Sequence, residues 1–251
     1  AVEDDKRLVA QGLMTQDEFN QEWYCSFNSS VKGSYYAKEI EKARQDGRIK
    51  IVSYDTALKV HTVWDLGIGE NLCVGFYQKF AHEVRMIDFL RGEQGDALPE
   101  MIMKVRKKDY IYGKHFAPHD INSKEIATGK TRWDTAKELG ITFEKVPDLP
   151  VEHGIEKGKL FFSKLWINDD GKPSAIGESL RGVPYWLNAI SQYQEAYNEG
   201  KQLFLGKPLH DWTSHSADVH RYAALVEDYM TNHQSASRYY SANKKPIPYG
   251  L

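Results

Sequence analysis

From Lys50 onward the chain moves between two hydrophobic rhythms. Residues 51–54, 60–66, 72–80 and 83–91 are rich in β-branched and aromatic side chains and are separated by Gly67, Gly69 and the Ala81-His82 turn, which predicts a meander of antiparallel strands. Leu98, Met101, Ile102 and Val105 then recur at i, i+3, i+4 and i+7, an amphipathic helix able to cover one face of that meander. A short strand is expected through residues 114–117, ending at Pro118-His119-Asp120, followed by a helix over 131–139 that Gly140 stops, an extended run over 141–146 and a helix over 151–165. Residues 166–173 read as a polar hairpin around Asp170-Gly171, 180–198 as a long aromatic helix interrupted near Pro184, and 200–208 as another hairpin. Val219, Tyr222, Ala223, Val226 and Met230 give the last helix one apolar face, with Ser214 or Ser216 as its cap.

Strands in a meander first, then helix and strand in alternation, is the order of an α/β fold: an RNase H-like mixed β-sheet flanked by helices on both faces. Residues 1–50 read instead as helices. Thr15 and Glu18 form a capping box opening one, and a second runs from Tyr36 to about Gln45. The expected organisation is a helical linker or flap over 1–50, the α/β domain over 51–233, and a mobile tail over 234–251.

Composition narrows the picture by exclusion. At 251 residues and 41% hydrophobic content the chain can bury a sizeable core, and its net charge of -2 provides no global basic field of the kind that coats nucleic acid. Cys25 and Cys73 have no Cys-x-x-Cys spacing, which argues against a zinc ribbon and fits buried thiols in a reducing cytoplasm. No apolar run approaches the length of a membrane span and the N-terminus is charged, so a soluble, intracellular protein is expected.

Candidate chemistry starts at Val63-Trp64-Asp65-Leu66-Gly67-Ile68-Gly69, which sets one carboxylate at the end of an apolar strand. A carboxylate leaving water needs a cation or hydrogen-bond donors. Asp120 closes a later strand, and Asp218 lies at the start of the last helix. In a sheet of this type the first and fourth strands are neighbours, so two acids at their same ends can meet and a covering helix can bring the third. Three converging carboxylates do not all stay charged without cations, and Mg²⁺ with its hard oxygen ligands suits them. Two such ions can activate a water and stabilise the leaving oxygen of a phosphodiester.

Trp64-Asp65-Leu66-Gly67-Ile68, Pro118-His119-Asp120-Ile121, Thr128-Gly129-Lys130-Thr131-Arg132, Gly140-Ile141 and the block from His210 to Tyr222 together resemble the nuclease domain of the large terminase subunit of tailed bacteriophages, over about residues 19–224. The resemblance implies a DNA endonuclease that holds two Mg²⁺ or Mn²⁺ ions on Asp65, Asp120 and Asp218. It also implies that the enzyme cuts concatemeric viral DNA during packaging in the host cell cytoplasm, with double-stranded DNA, the portal protein and the small terminase subunit as partners. The family's ATPase motor, normally N-terminal to this segment, has no counterpart here: Gly129-Lys130-Thr131 looks like the end of a P-loop, but that motif needs glycine where Lys124 stands.

Supporting residues keep two readings each. His119, His210 and His215 either orient carboxylates or are ordinary loop residues, and Asp211 is either a further ligand or a helix cap. Lys130, Arg132 and Lys157 either contact DNA phosphates or are solvated charges, as are the remaining lysines of 104–108 and 157–164. Tyr185, Trp186, Tyr193 and Tyr197 read as core. An integrase- or transposase-like enzyme using Asp65, Asp120 and Glu156 is the rival within the same fold, and a non-catalytic module docking on a portal or on DNA is the rival outside it.

Overall fold

The structure, a computed structural model, describes residues 33–123, 129–169 and 180–232. The expected helix at Thr15 to Tyr24, Cys25, the Asp170-Gly171 turn and the C-terminal tail lie outside the described residues.

A mixed seven-stranded sheet forms the centre, in the order β1 (Ile49–Lys50), β7 (Leu165–Asn168), β4 (Glu83–Arg91), β3 (Leu72–Phe80), β2 (Val60–Leu66), β5 (Tyr112–Ala117), β6 (Phe143–Lys145). The β2-β3-β4 meander is antiparallel; β5 and β6 add in parallel on one side, β7 and β1 on the other. This is the RNase H-like α/β architecture that the element order predicts. All seven residues of β2 are buried, as befits a central strand covered on both faces.

The period-2 geometry of that strand divides the core. Val63 faces a cluster with Tyr77, Phe89, Phe116, Ile155, Trp186 and Val219, under helices α4 (Val151–Phe161), α5 (Gly182–Gln192) and α6 (Ser214–Val226). Trp64 and Leu66 face the other way, onto Met101, Ile102 and Val105 of α2 (Leu98–Arg106) and Ala136 of α3 (Arg132–Glu138). Asp65 has the parity of Val63 and so faces α6. From the segment expected as a linker or flap, Tyr36 and Ile40, the latter in α1 (Ala37–Gln45), sit in the first of these two clusters.

Several elements differ from the sequence expectation. Residues 51–54 are not a strand: β1 is only two residues long, because Ile51 turns out to solvent and the Val52 amide donates to the Asn168 side chain instead of to a ladder. The helix expected over 151–165 ends at Phe161, and residues 165–168 form β7, slotted in parallel between β4 and β1, where the sequence predicts a hairpin. Four residues carry too short a period to announce a strand.

The helix expected over 180–198 stops at Gln192. Tyr193 is extended, and Glu195–Asn198 forms β8, which pairs with β9 (Leu203–Pro208) in one hairpin, where the sequence predicts one within residues 200–208 alone. Pro184 interrupts nothing, since it lies in the first turn of α5, where no amide hydrogen is required. Neither Ser214 nor Ser216 caps α6; both are helical, and the capping position is Thr213.

Candidate active site

Asp65 is the penultimate residue of β2 and Asp120 lies in a short 3-10 turn, His119–Asn122, directly after β5. Because β2 and β5 are adjacent and parallel, both acids emerge at the same edge of the sheet. Asp218 comes from α6, which packs across β2 and β3. Sequence spacing places it in the first turn of that helix; it is the fifth helical residue.

Each acid is held by a nitrogen donor of the chain itself. His215 Nδ1 donates to Asp65 Oδ2 at 2.7 Å. Arg132 Nη1 donates both to Asp120 Oδ2, at 3.3 Å, and to the Leu66 carbonyl, at 2.8 Å, which ties the ends of the two acid-bearing strands together. Arg221 Nε donates to Asp218 Oδ1 at 2.6 Å. Burial, eased by the His215 bond and reinforced by the charges of Asp218 and Asp120, pushes the Asp65 carboxyl up to about 6. Burial likewise raises Asp120, and the bond to Asp65 raises His215. Asp65 thus feels the negative charge of both Asp218 and Asp120.

Does this cluster fit divalent metal? Among the described residues, no group of three or more His, Cys, Asp or Glu side chains stands ready to hold one ion as placed. The chemistry of the donor set nonetheless fits. Three hard-oxygen carboxylates repel one another, and Asp120 Oδ1 is buried with no hydrogen-bond partner.

The remaining candidates separate cleanly. His215 bonds an acid directly, whereas His119 is exposed, its Nδ1 lies 3.6 Å from Asp148, and it bears on Asp120 only through charge. Asp211 Oδ1 accepts from the Thr213 amide and hydroxyl, at 2.8 and 2.6 Å, so it shapes the turn into α6. The His210 ring lies 6.1 Å from that of His215. Arg132 touches Asp120, Lys130 pairs with Glu138, and Lys157 is exposed on α4. Glu156 is exposed and paired with Lys159, and the acids whose charge bears on Asp65 are Asp218 and Asp120. The basic run over 104–108 is partly neutralised within the fold: Glu93 and Asp96 engage Lys104, and Asp88 engages Lys108.

Sequence reasoning missed Arg221 and Tyr222. Arg221 is only 8% exposed, its guanidinium carbon lies 4.5 Å from the Tyr222 ring centre, and both line a cavity of about 140 Å³ together with His119, the neighbour of Asp120 in the chain. The i, i+3 spacing of Asp218 and Arg221 on an amphipathic helix was the available signal.

No protein-family model and no curated protein sequence matches the chain. Solved structures do. The large terminase from a thermophilic bacteriophage, in complex with ADP, superposes with a TM-score of 0.53 at 14% identity, over 76% of this chain and 44% of that one. The P22 large terminase nuclease domain gives 0.51 at 12% identity, over 74% of this chain and 91% of that one. The match thus spans less than half the length of the thermophilic phage's terminase and nearly the whole of the P22 domain. The fold of this chain is that of a large terminase nuclease domain, RNase H-like, with the three acids at the edge where β2 and β5 end.

Proposed function

We propose that the protein is a metal-dependent DNA endonuclease of the terminase type, cutting concatemeric viral DNA during packaging by two-metal-ion hydrolysis. The observation that carries this reading is that Asp120, from the turn after β5, and Asp218, from α6, both lie near enough to Asp65 of β2 for their charges to raise it.

In this reading Asp65, Asp120 and Asp218 would together hold two Mg²⁺ or Mn²⁺ ions. When bound, the ions supply Lewis-acid activation of a water and stabilise the leaving oxygen. The chain's own residues do the positioning. His215 orients the Asp65 carboxylate, and Arg132 fixes Asp120 against the end of β2. Substrate is double-stranded DNA, recognised through its backbone; the portal, the small terminase subunit and an ATPase motor domain preceding this segment are the proposed partners. Among the described residues no helix is long and apolar enough to cross a membrane.

Plasmid nicking and linearisation with Mn²⁺, Mg²⁺ or EDTA, alongside Asp65→Asn, tests the proposal. Cleavage should require the ion and vanish in the variant. No cleavage with either ion, together with a melting temperature indifferent to both, would sink it in favour of a docking module.

A further inference from the structure

We propose that Arg221 is a phosphate-binding residue that becomes available only when a divalent cation takes Asp218 from it, so that metal and DNA phosphate strengthen each other's binding. This rests on the nuclease reading above. The side chain is held on every side. Its Nε is 2.6 Å from Asp218 Oδ1, its Nη2 donates to the Tyr222 hydroxyl at 3.2 Å, and its stem packs so tightly on α4 that a Cβ at Gly154 would come within 3.3 Å of Arg221 Cδ.

The residue lines a cavity of about 140 Å³, whose other walls are Tyr222, His119, Asp148 and five apolar residues, Pro118 and Leu149 among them. That is well below the ~300 Å³ at which small-molecule pockets begin, and suits one phosphate group better than a base or a whole nucleotide. None of the three acids lines the cavity; its links to them are His119, next to Asp120 in the chain, and Arg221, bonded to Asp218. His119, 3.6 Å from Asp148, offers a second donor at its rim.

Charge balance then makes the two ligands interdependent. Arginine does not give up its proton, so a buried guanidinium must keep an anion beside it. A cation that takes the Asp218 oxygens leaves Arg221 without its counter-charge, which makes metal binding alone weak. A phosphate entering without metal finds Arg221 already neutralised and Asp218 repelling it. Together the two ligands pair both Asp218 and Arg221, which leaves Asp148, 3.6 Å from His119, as the remaining carboxylate on the cavity wall. Linkage requires the strengthening to be equal in both directions.

The test is calorimetric titration of Ca²⁺ into DNA-free protein, and anisotropy of a short blunt duplex with and without Ca²⁺, strand integrity being checked on a gel. In the wild type, Ca²⁺ should tighten duplex binding by a factor within about 5–150, the usual range of coupling between sites. Arg221→Gln should move the two ligands in opposite directions. Ca²⁺ alone binds more tightly because Asp218 is free, duplex in Ca²⁺ binds more weakly, and the salt dependence of duplex binding loses about one phosphate contact. A merely structural role predicts that both ligands weaken together, and that result, or an unchanged coupling, overturns the proposal. Should Arg221→Gln unfold early, Arg221→Lys keeps the charge without the fork and should show the same opposed shifts at smaller size; parallel weakening there is equally fatal. If the wild type binds and cuts DNA with metal while the variants behave like it, only this proposal falls. If the wild type binds neither ion nor duplex, the nuclease reading falls with it.

Discussion

Replacing Asp65 with asparagine should make the metal-free protein more stable while removing its response to metal. The carboxyl is buried, 8% exposed, and titrates at about 6 rather than at its ordinary 3.8. A folded-state value above the unfolded one means that the group's contribution is whole at low pH and is lost as pH rises from 3.8 through 6. At pH 7.5 the ionised carboxylate therefore costs the fold about 3 kcal/mol, from a shift of roughly 2 units at 1.36 kcal/mol each. Asparagine mimics the neutral acid and removes that cost. Allowing for relaxation, a gain of about 1–3 kcal/mol corresponds to a rise in Tm of about 2–12 °C for a domain of this size. Mn²⁺ should then reverse the order, because an ion at about a hundred times its Kd stabilises the wild type by about 2.7 kcal/mol and has lost a ligand in the variant. Thermal melts in EDTA and in Mn²⁺ at pH 7.5 read both effects. A variant that melts below the wild type in EDTA, or that gains as much from Mn²⁺, would refute the argument.

Other expectations follow from neighbouring features. Burial holds His61, His115 and His220 neutral, each lowered from 6.5 to about 4, so below pH 6.5 the unfolded chain takes up protons that the folded one refuses. At pH 5 each costs about 2 kcal/mol, more in sum than the relief at Asp65, and melts in EDTA should show a lower Tm at pH 5 than at pH 7; a flat or rising Tm counts against it. Gly158→Ala would set a Cβ 2.7 Å from the Tyr36 hydroxyl and 3.0 Å from His220 Cδ2, so chemical denaturation should show a loss of about 1–3 kcal/mol. Glu156→Gln breaks only an exposed pair with Lys159, and plasmid cleavage should stay within about twofold of wild type, as fits a pair worth under about 1 kcal/mol; loss of cleavage would revive the rival triad.

What the sequence disclosed follows the length of each period. β2, β3 and β4 are legible to the residue because seven to nine residues of β-branched and aromatic side chains, ended by glycine or a tight turn, leave little ambiguity. β7 and β8, at four residues each, carry no such signature, and their strand character comes from the partners that flank them. Within the candidate site, Asp65 and Asp120 can be placed at strand ends from the pattern alone. The hydrogen bond from His215 to Asp65 depends on the pitch of α6 across the sheet, which no local pattern encodes. Arg221 stayed hidden because a buried arginine on an apolar helix face looks, in sequence, like a surface charge.

The origin of the third acid has a consequence for when the molecule can act. Asp65 lies in the first long strand, while its partner His215 lies 150 residues further on, with Asp218 beyond that, in the last α-helix of the described chain. A nascent chain emerging from the ribosome can pair β2 with β3, β4 and β5 long before α6 exists. If these acids do the cutting, synthesis itself acts as a safety catch: a half-made or C-terminally clipped molecule has the sheet but not the blade.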